Sequence, residues 1–105
     1  MKILILGDLM GNSGKKALQE NLSKIVKDKK IDFTILNGEN AAEDGKGITK
    51  DIADNLFTLG VDVITSGNHI WDKKETSEFI AQEERLLRPE NLAAGSPGNG
   101  FGIFT

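Results

Sequence analysis

An α/β fold, a parallel sheet with flanking helices, is predicted by three observations on this 105-residue sequence. Short apolar runs recur at Ile3–Leu6, Phe33–Leu36 and Val61–Thr65. Each is followed by a polar loop or turn, and the stretches between them carry apolar residues at helical spacing. Strands alternating with helices in this way pair in parallel through right-handed crossovers.

Taken in order, Ile3–Leu6 is continuously apolar and predicts a first strand buried on both faces. The loop Gly7–Gly14, rich in Gly, Asn and Ser, follows. From Lys15 to Lys27, the residues Leu18, Leu22, Ile25 and Val26 recur at helical spacing, with Asn12 or Ser13 placed to cap that helix. Phe33–Leu36 is the second strand and Gly38–Gly47 the second polar loop. Thr49 reads as the N-cap of a helix with Ile52, Ala53, Leu56 and Phe57 on one face and Gly60 as its stop. Val61–Thr65 is the third strand. Asp72, with Glu75 three positions on, has the spacing of a capping pair for a helix carrying Phe79 and Ile80. Beyond Arg88-Pro89 the chain loosens; Ser96–Gly100 is a strong turn signal, and Phe101–Phe104 opens a further apolar run. A strand starting so close to Thr105 predicts a single, truncated domain over residues 1–105, the N-terminal part of a larger fold.

Composition narrows the function. A hydrophobic fraction of 38% fits a folded unit. A net charge of −3 provides no basic footprint for strong nucleic-acid binding, although metal ions can supply positive charge locally. There is no cysteine, hence no disulfide framework and no thiolate metal site. The apolar stretch after Met1 is too short for the core of a signal peptide, and no run approaches the roughly 20 residues that cross a bilayer. A soluble, cytoplasmic protein without a membrane partner is expected.

The polar residues at the strand ends carry the chemistry. Gly7-Asp8, Asn37-Gly38-Glu39-Asn40 and Gly67-Asn68-His69 each follow an apolar run. With the strands parallel, all three emerge at one edge of the sheet, where open α/β sheets bind ligands. Carboxylates, a side-chain amide and an imidazole converging there suit a hard or borderline divalent metal. Glu39 has two oxygens and can bridge two cations about 3.5–4 Å apart. The Asn68 amide oxygen is a metal donor, and His69, the chain's one histidine, exchanges a proton near neutral pH. The glycines of Gly7–Lys16 fit no phosphate loop, since Leu9 stands where a Walker loop needs glycine. Gly7, Gly11 and Gly14 also miss the dinucleotide spacing. Asp8 alone would equally suit a turn, a receiver-type phosphoacceptor or a haloacid-dehalogenase-type nucleophile, the last of which wants an aspartate where Met10 stands.

Together, Gly7-Asp8, Asn37–Ala42, Gly45–Thr49, Gly67–Asp72, Arg88–Asn91 and Pro97–Gly100 make the chain resemble the YmdB-like metallophosphoesterases. These are a bacterial branch of the calcineurin-like phosphoesterase superfamily, and the resemblance runs from Met1 to the last residue. It implies the N-terminal half of a four-layer α/β/β/α sandwich with a dinuclear centre of two divalent ions, iron or manganese. The implied activity is hydrolysis of phosphodiester bonds in small molecules, 2',3'-cyclic nucleotides or cyclic AMP. By the same resemblance Asp8 binds one metal, Glu39 bridges both, Asn68 binds the second, Asn40 lines the centre, and the catalytic His69 assists the phosphate or the leaving oxygen. Met10 replaces the superfamily's usual histidine, as this branch tolerates. Three further metal-binding histidines of the family's second half have no counterpart here, which implies weak metal binding and little or no turnover by this chain alone. A missing half would leave one sheet face apolar and exposed, favouring a homo-oligomer. The alternatives are a non-catalytic flavodoxin-like or receiver-like binding module, which would make Glu39 and Asn68 dispensable, or a degenerate remnant that persists as an interaction partner.

Overall fold

Why the strand ends meet follows from how the strands pair. The computed structural model describes residues Met1–Thr105. Its elements are β1 (Ile3–Leu6), α1 (Gly11–Lys29), β2 (Phe33–Asn37), α2 (Lys50–Leu59), β3 (Val63–Thr65), a 3₁₀ turn (Asn68–Trp71) and a one-turn helix α3 (Thr76–Phe79). The sheet order is β1-β2-β3, all parallel, with Leu4 beside Thr34, Leu6 beside Leu36, and Leu36 beside Ile64.

Both crossovers step in the same direction across the sheet, so connections of one hand place both helices on one face. Leu36 and Ile64 on that face join Leu18 and Leu22 of α1 and Ala53 and Leu56 of α2 in a single core, with Leu4 and Leu6 packed against it. The opposite face has no helix. Ile3 is 51% and Ile5 73% exposed, which corrects the expectation of a first strand buried on both faces. An unbroken apolar run does not distinguish a covered second face from a bare one. Phe101–Phe104 forms no strand either; Phe104 instead tilts against Phe33 on the bare face, their ring centroids 6.1 Å apart.

A fourth segment joins the sheet through too few residues to leave a pattern in the sequence. Leu86 lies parallel beside Ile64, whose N–H donates to Arg85 O while its carbonyl accepts from Leu87 N, both at 2.8 Å. Leu87 is in turn bridged to Asn99. Arg85 fixes this segment from outside. Its guanidinium lies 3.9 Å from the centre of the Phe57 ring and forks onto the Glu83 carboxylate at 3.0 and 3.1 Å.

The helix ends differ in part from expectation. Helix α1 starts at Gly11 rather than Lys15, and neither Asn12 nor Ser13 caps it. Gly11 N–H donates to Asn40 O at 3.0 Å, so a tertiary bond does what a capping side chain would do. Helix α2 follows the sequence. Thr49 Oγ1 accepts from Ile52 N at 3.3 Å, and Gly60 closes it at φ 118°, a conformation glycine adopts without a Cβ clash. Strand β3 begins at Val63, with Val61 already in the core. Asp72 and Glu75 form no capping box. Asp72 N–H closes the 3₁₀ turn on His69 O, and α3 starts at Thr76, whose hydroxyl is committed to Ile48 O at 2.7 Å.

Thr49→Ala is expected to cost about 1 kcal/mol in chemical denaturation. The Arg85 guanidinium beside Glu83 holds that carboxyl below its ordinary 4.5. A depressed carboxyl stabilises the fold above its unfolded pKa, and that support disappears as pH falls through the folded value. Stability measured against pH should therefore fall on the acid side of 4.5, by no more than about 1 kcal/mol for so exposed a pair. Glu83→Gln should flatten that limb.

Candidate functional site

Short backbone hydrogen bonds lace the three strand exits together. Leu9 N–H, after β1, donates to Asn37 O at the end of β2 (3.1 Å), and Gly38 N–H, after β2, donates to Thr65 O at the end of β3 (2.8 Å). The loop of Glu39 folds back on itself, because Gly47 N–H donates to Glu39 O and Asn37 Oδ1 accepts from Glu39 N–H at 3.0 Å. This last bond is a local turn of the kind asparagine favours.

On this frame three of the five predicted site residues join in one hydrogen-bonded chain, and a fourth stands beside it. Asn40 Nδ2 donates to Asp8 Oδ1 at 2.8 Å, and Asn40 Oδ1 lies 2.9 Å from His69 Nδ1. Glu39 Oε1 stands 3.9 Å from the same ring nitrogen. Asn68 is at the same rim as the first residue of the 3₁₀ turn, exposed, and it joins none of these hydrogen bonds.

The donor and acceptor roles follow from chemistry. The carboxylate of Asp8 only accepts, so Asn40 turns its amide N–H toward Asp8 and its amide oxygen toward His69. That oxygen also only accepts, which places the ring proton on Nδ1 and leaves Nε2 as the nitrogen free to exchange a proton. Asn40 thus sets the histidine tautomer, a role the sequence alone did not disclose.

Gly67 matters for space rather than for turn geometry. Its backbone is extended, at φ −152° and ψ −151°, but a Cβ built there would overlap Glu39 Oε2. The Glu39 carboxylate is therefore seated directly against the backbone that precedes Asn68 and His69.

The oxygen donors Asp8, Glu39 and Asn68 have the hard-ligand chemistry of a divalent-cation site. Yet no three of the chain's carboxylate and imidazole groups gather closely enough to hold a metal ion. What is assembled fits one wall of such a site, short of the roughly six ligands a hard cation takes. Elsewhere the Lys73 ammonium holds the Asp44 carboxyl below its ordinary range at 2.7 Å, and Lys50 pairs with Asp54. Neither pair shares a residue with the polar chain. No helix is long and apolar enough to cross a membrane.

The chain is similar in sequence and fold to known proteins. The sequence profile of a family described as YmdB-like protein matches residues 4–105. A 2',3'-cyclic-nucleotide 2'-phosphodiesterase of Bacillus subtilis is 47% identical over 101 residues, which are 96% of this chain and 38% of that protein. Among solved structures, a hypothetical protein from Thermus thermophilus superposes with a TM-score of 0.91 at 38% identity, over 100% of this chain and 40% of the other. A novel phosphatase of Mycoplasma pneumoniae does so with a TM-score of 0.87 at 31% identity, over 99% of this chain and 39% of the other. The chain thus spans 38 to 40% of the length of these relatives.

Gly67→Ala is expected to leave the strands paired, as read by circular dichroism, while evicting the Glu39 carboxylate. The His69 ring resonances should shift in that variant, and an unperturbed ring would show that Glu39 does not depend on Gly67.

Proposed function

This chain belongs to the YmdB-like family, and from that membership we propose that it forms one wall of a metal-dependent phosphodiesterase site acting on 2',3'-cyclic nucleotides or cyclic AMP. The observation that carries the reading is the polar chain Asp8–Asn40–His69, with Glu39 beside the imidazole, at the edge where a parallel sheet delivers its loops.

In this proposal Asp8, Glu39 and Asn68 would hold two divalent ions, iron or manganese. Such ions, when bound, neutralise phosphodiester charge and acidify water. The remaining ligands are proposed to come from the part of the relatives that this chain does not cover. Asn40 holds His69 with its proton on Nδ1, so that Nε2, once protonated, faces the ester as a proton donor. Hydrolysis forms a P–O bond to the oxygen of an attacking water, whose proton passes to solvent, and breaks the P–O bond to the leaving oxygen. The departing alkoxide takes the Nε2 proton, and the product is a nucleoside monophosphate. The 47% identical relative that is a 2',3'-cyclic-nucleotide 2'-phosphodiesterase supports that substrate class.

Turnover of a generic phosphodiester with added manganese tests the reading. This chain alone is expected to fall far below the roughly 1–10³ s⁻¹ usual of enzymes. In a protein of the relatives' length that carries this segment, Glu39→Gln should reduce kcat/KM by more than the roughly 10–100-fold that losing an outer metal partner costs. His69→Ala should reduce kcat by about 10²–10⁴-fold. Retention of full activity in Glu39→Gln would overturn the proposed ligand role of Glu39, and no turnover in the unaltered longer protein would favour the non-catalytic flavodoxin-like module.

A further inference from the structure

Arg88 is a partly buried cation without a counter-ion. Its Nε is shielded from solvent and has no hydrogen-bond partner, and one terminal N–H donates to the carbonyl of the adjoining Pro89 at 3.0 Å. It takes part in none of the chain's ion pairs. Glu90, two residues on, is turned away against Gly100, where an added Cβ would overlap its carboxylate. Withdrawing a guanidinium donor from water without pairing it is unfavourable. The second terminal nitrogen makes no hydrogen bond within the chain and is not among its buried unpaired atoms, which leaves the guanidinium able to take an external anion there. The planar fork of five N–H donors matches phosphate oxygens better than any other side chain does.

The location of Arg88 says which anion. Leu86 and Leu87 run parallel to β3, so Arg88 leaves the sheet beside Ser66, roughly one strand spacing of 4.8 Å away. Ser66 Oγ donates to Leu87 O at 2.6 Å and so ties the two exits together, immediately before Gly67-Asn68-His69. Arg88 is thus the fourth strand exit on the rim that carries Asp8, Glu39 and Asn68, and the only one to bring a permanent positive charge.

We propose that the Arg88 guanidinium is an oxyanion anchor that grips the non-reacting phosphate oxygens of the ester bound at this rim. The identity of the ester rests on the phosphodiesterase reading, whereas oxyanion binding at Arg88 does not. The anchor orients the phosphorus toward His69 and neutralises part of its charge.

Titrating the ¹⁵N-labelled chain with inorganic phosphate, at constant ionic strength, tests this. A saturable shift of the Arg88 Nε–H resonance and of the amides of residues 67–69 is expected. Arg88→Lys, which loses the fork, and Arg88→Met, which retains only an apolar stem, should each weaken phosphate binding at least tenfold with little change in unfolding midpoint. Unchanged affinity in either folded variant overturns the proposal. So does a wild-type titration that moves only the lysines of α1, or one that leaves Arg88 still at millimolar phosphate. Should both variants unfold, the wild-type Arg88 resonance decides alone. Phosphate binding that persists where no phosphodiester turnover is found would remove the hydrolase reading and leave the anchor standing. Hydrolysis by a protein whose Arg88 ignores phosphate would do the reverse.

Discussion

Parallel pairing of β1, β2 and β3 at a fixed register is the constraint on which the rest of the structure depends. Leu6, Leu36 and Ile64 lie side by side across the sheet, so the residues that follow each strand leave at one rim however far apart they are in sequence. A slip of one residue would turn Leu36 and Ile64 out of the core and carry Asp8 or Glu39 to the wrong face. Core packing and site geometry are therefore enforced by the same few apolar contacts.

The rim is held by its backbone before any side chain acts. Bonds from Leu9 to Asn37, Gly11 to Asn40 and Gly38 to Thr65 bind each exit to its neighbour. Asn40 belongs to both levels, since its carbonyl starts α1 and its side chain joins Asp8 to His69. Bonds that converge on one residue in this way, two accepted and one donated, restrain its side chain and its backbone together.

What was legible in the sequence is what local chemistry decides. Thr49 and Gly60 are caps whose function needs only their own neighbours, and both ends of α2 fall where they dictate. The three exits were legible because a polar cluster after an apolar run means the same thing wherever it occurs. The start of α1 was not, because its first N–H is satisfied by Asn40, 29 residues downstream. Asp72 and Glu75 had the spacing of a capping box, but the carbonyl of His69 and the tie from Thr76 to Ile48 claimed the backbone first. The segment at Leu86 leaves no signal in the sequence, because so few paired residues carry no periodicity. The link from Asp8 through Asn40 to His69 rests on side-chain geometry, which spacing does not encode.

The most direct test of convergence at one rim is paramagnetic broadening by manganese, which works even where binding is weak. With Mn²⁺ added in small amounts to the ¹⁵N-labelled chain, amide signals of residues 7–9, 38–40 and 67–70 should vanish together. Glu39→Gln should abolish that pattern while the rest of the spectrum persists. Broadening centred on Asp44, Asp51 and Asp54 instead, or on only one of the three exits, would contradict a shared site.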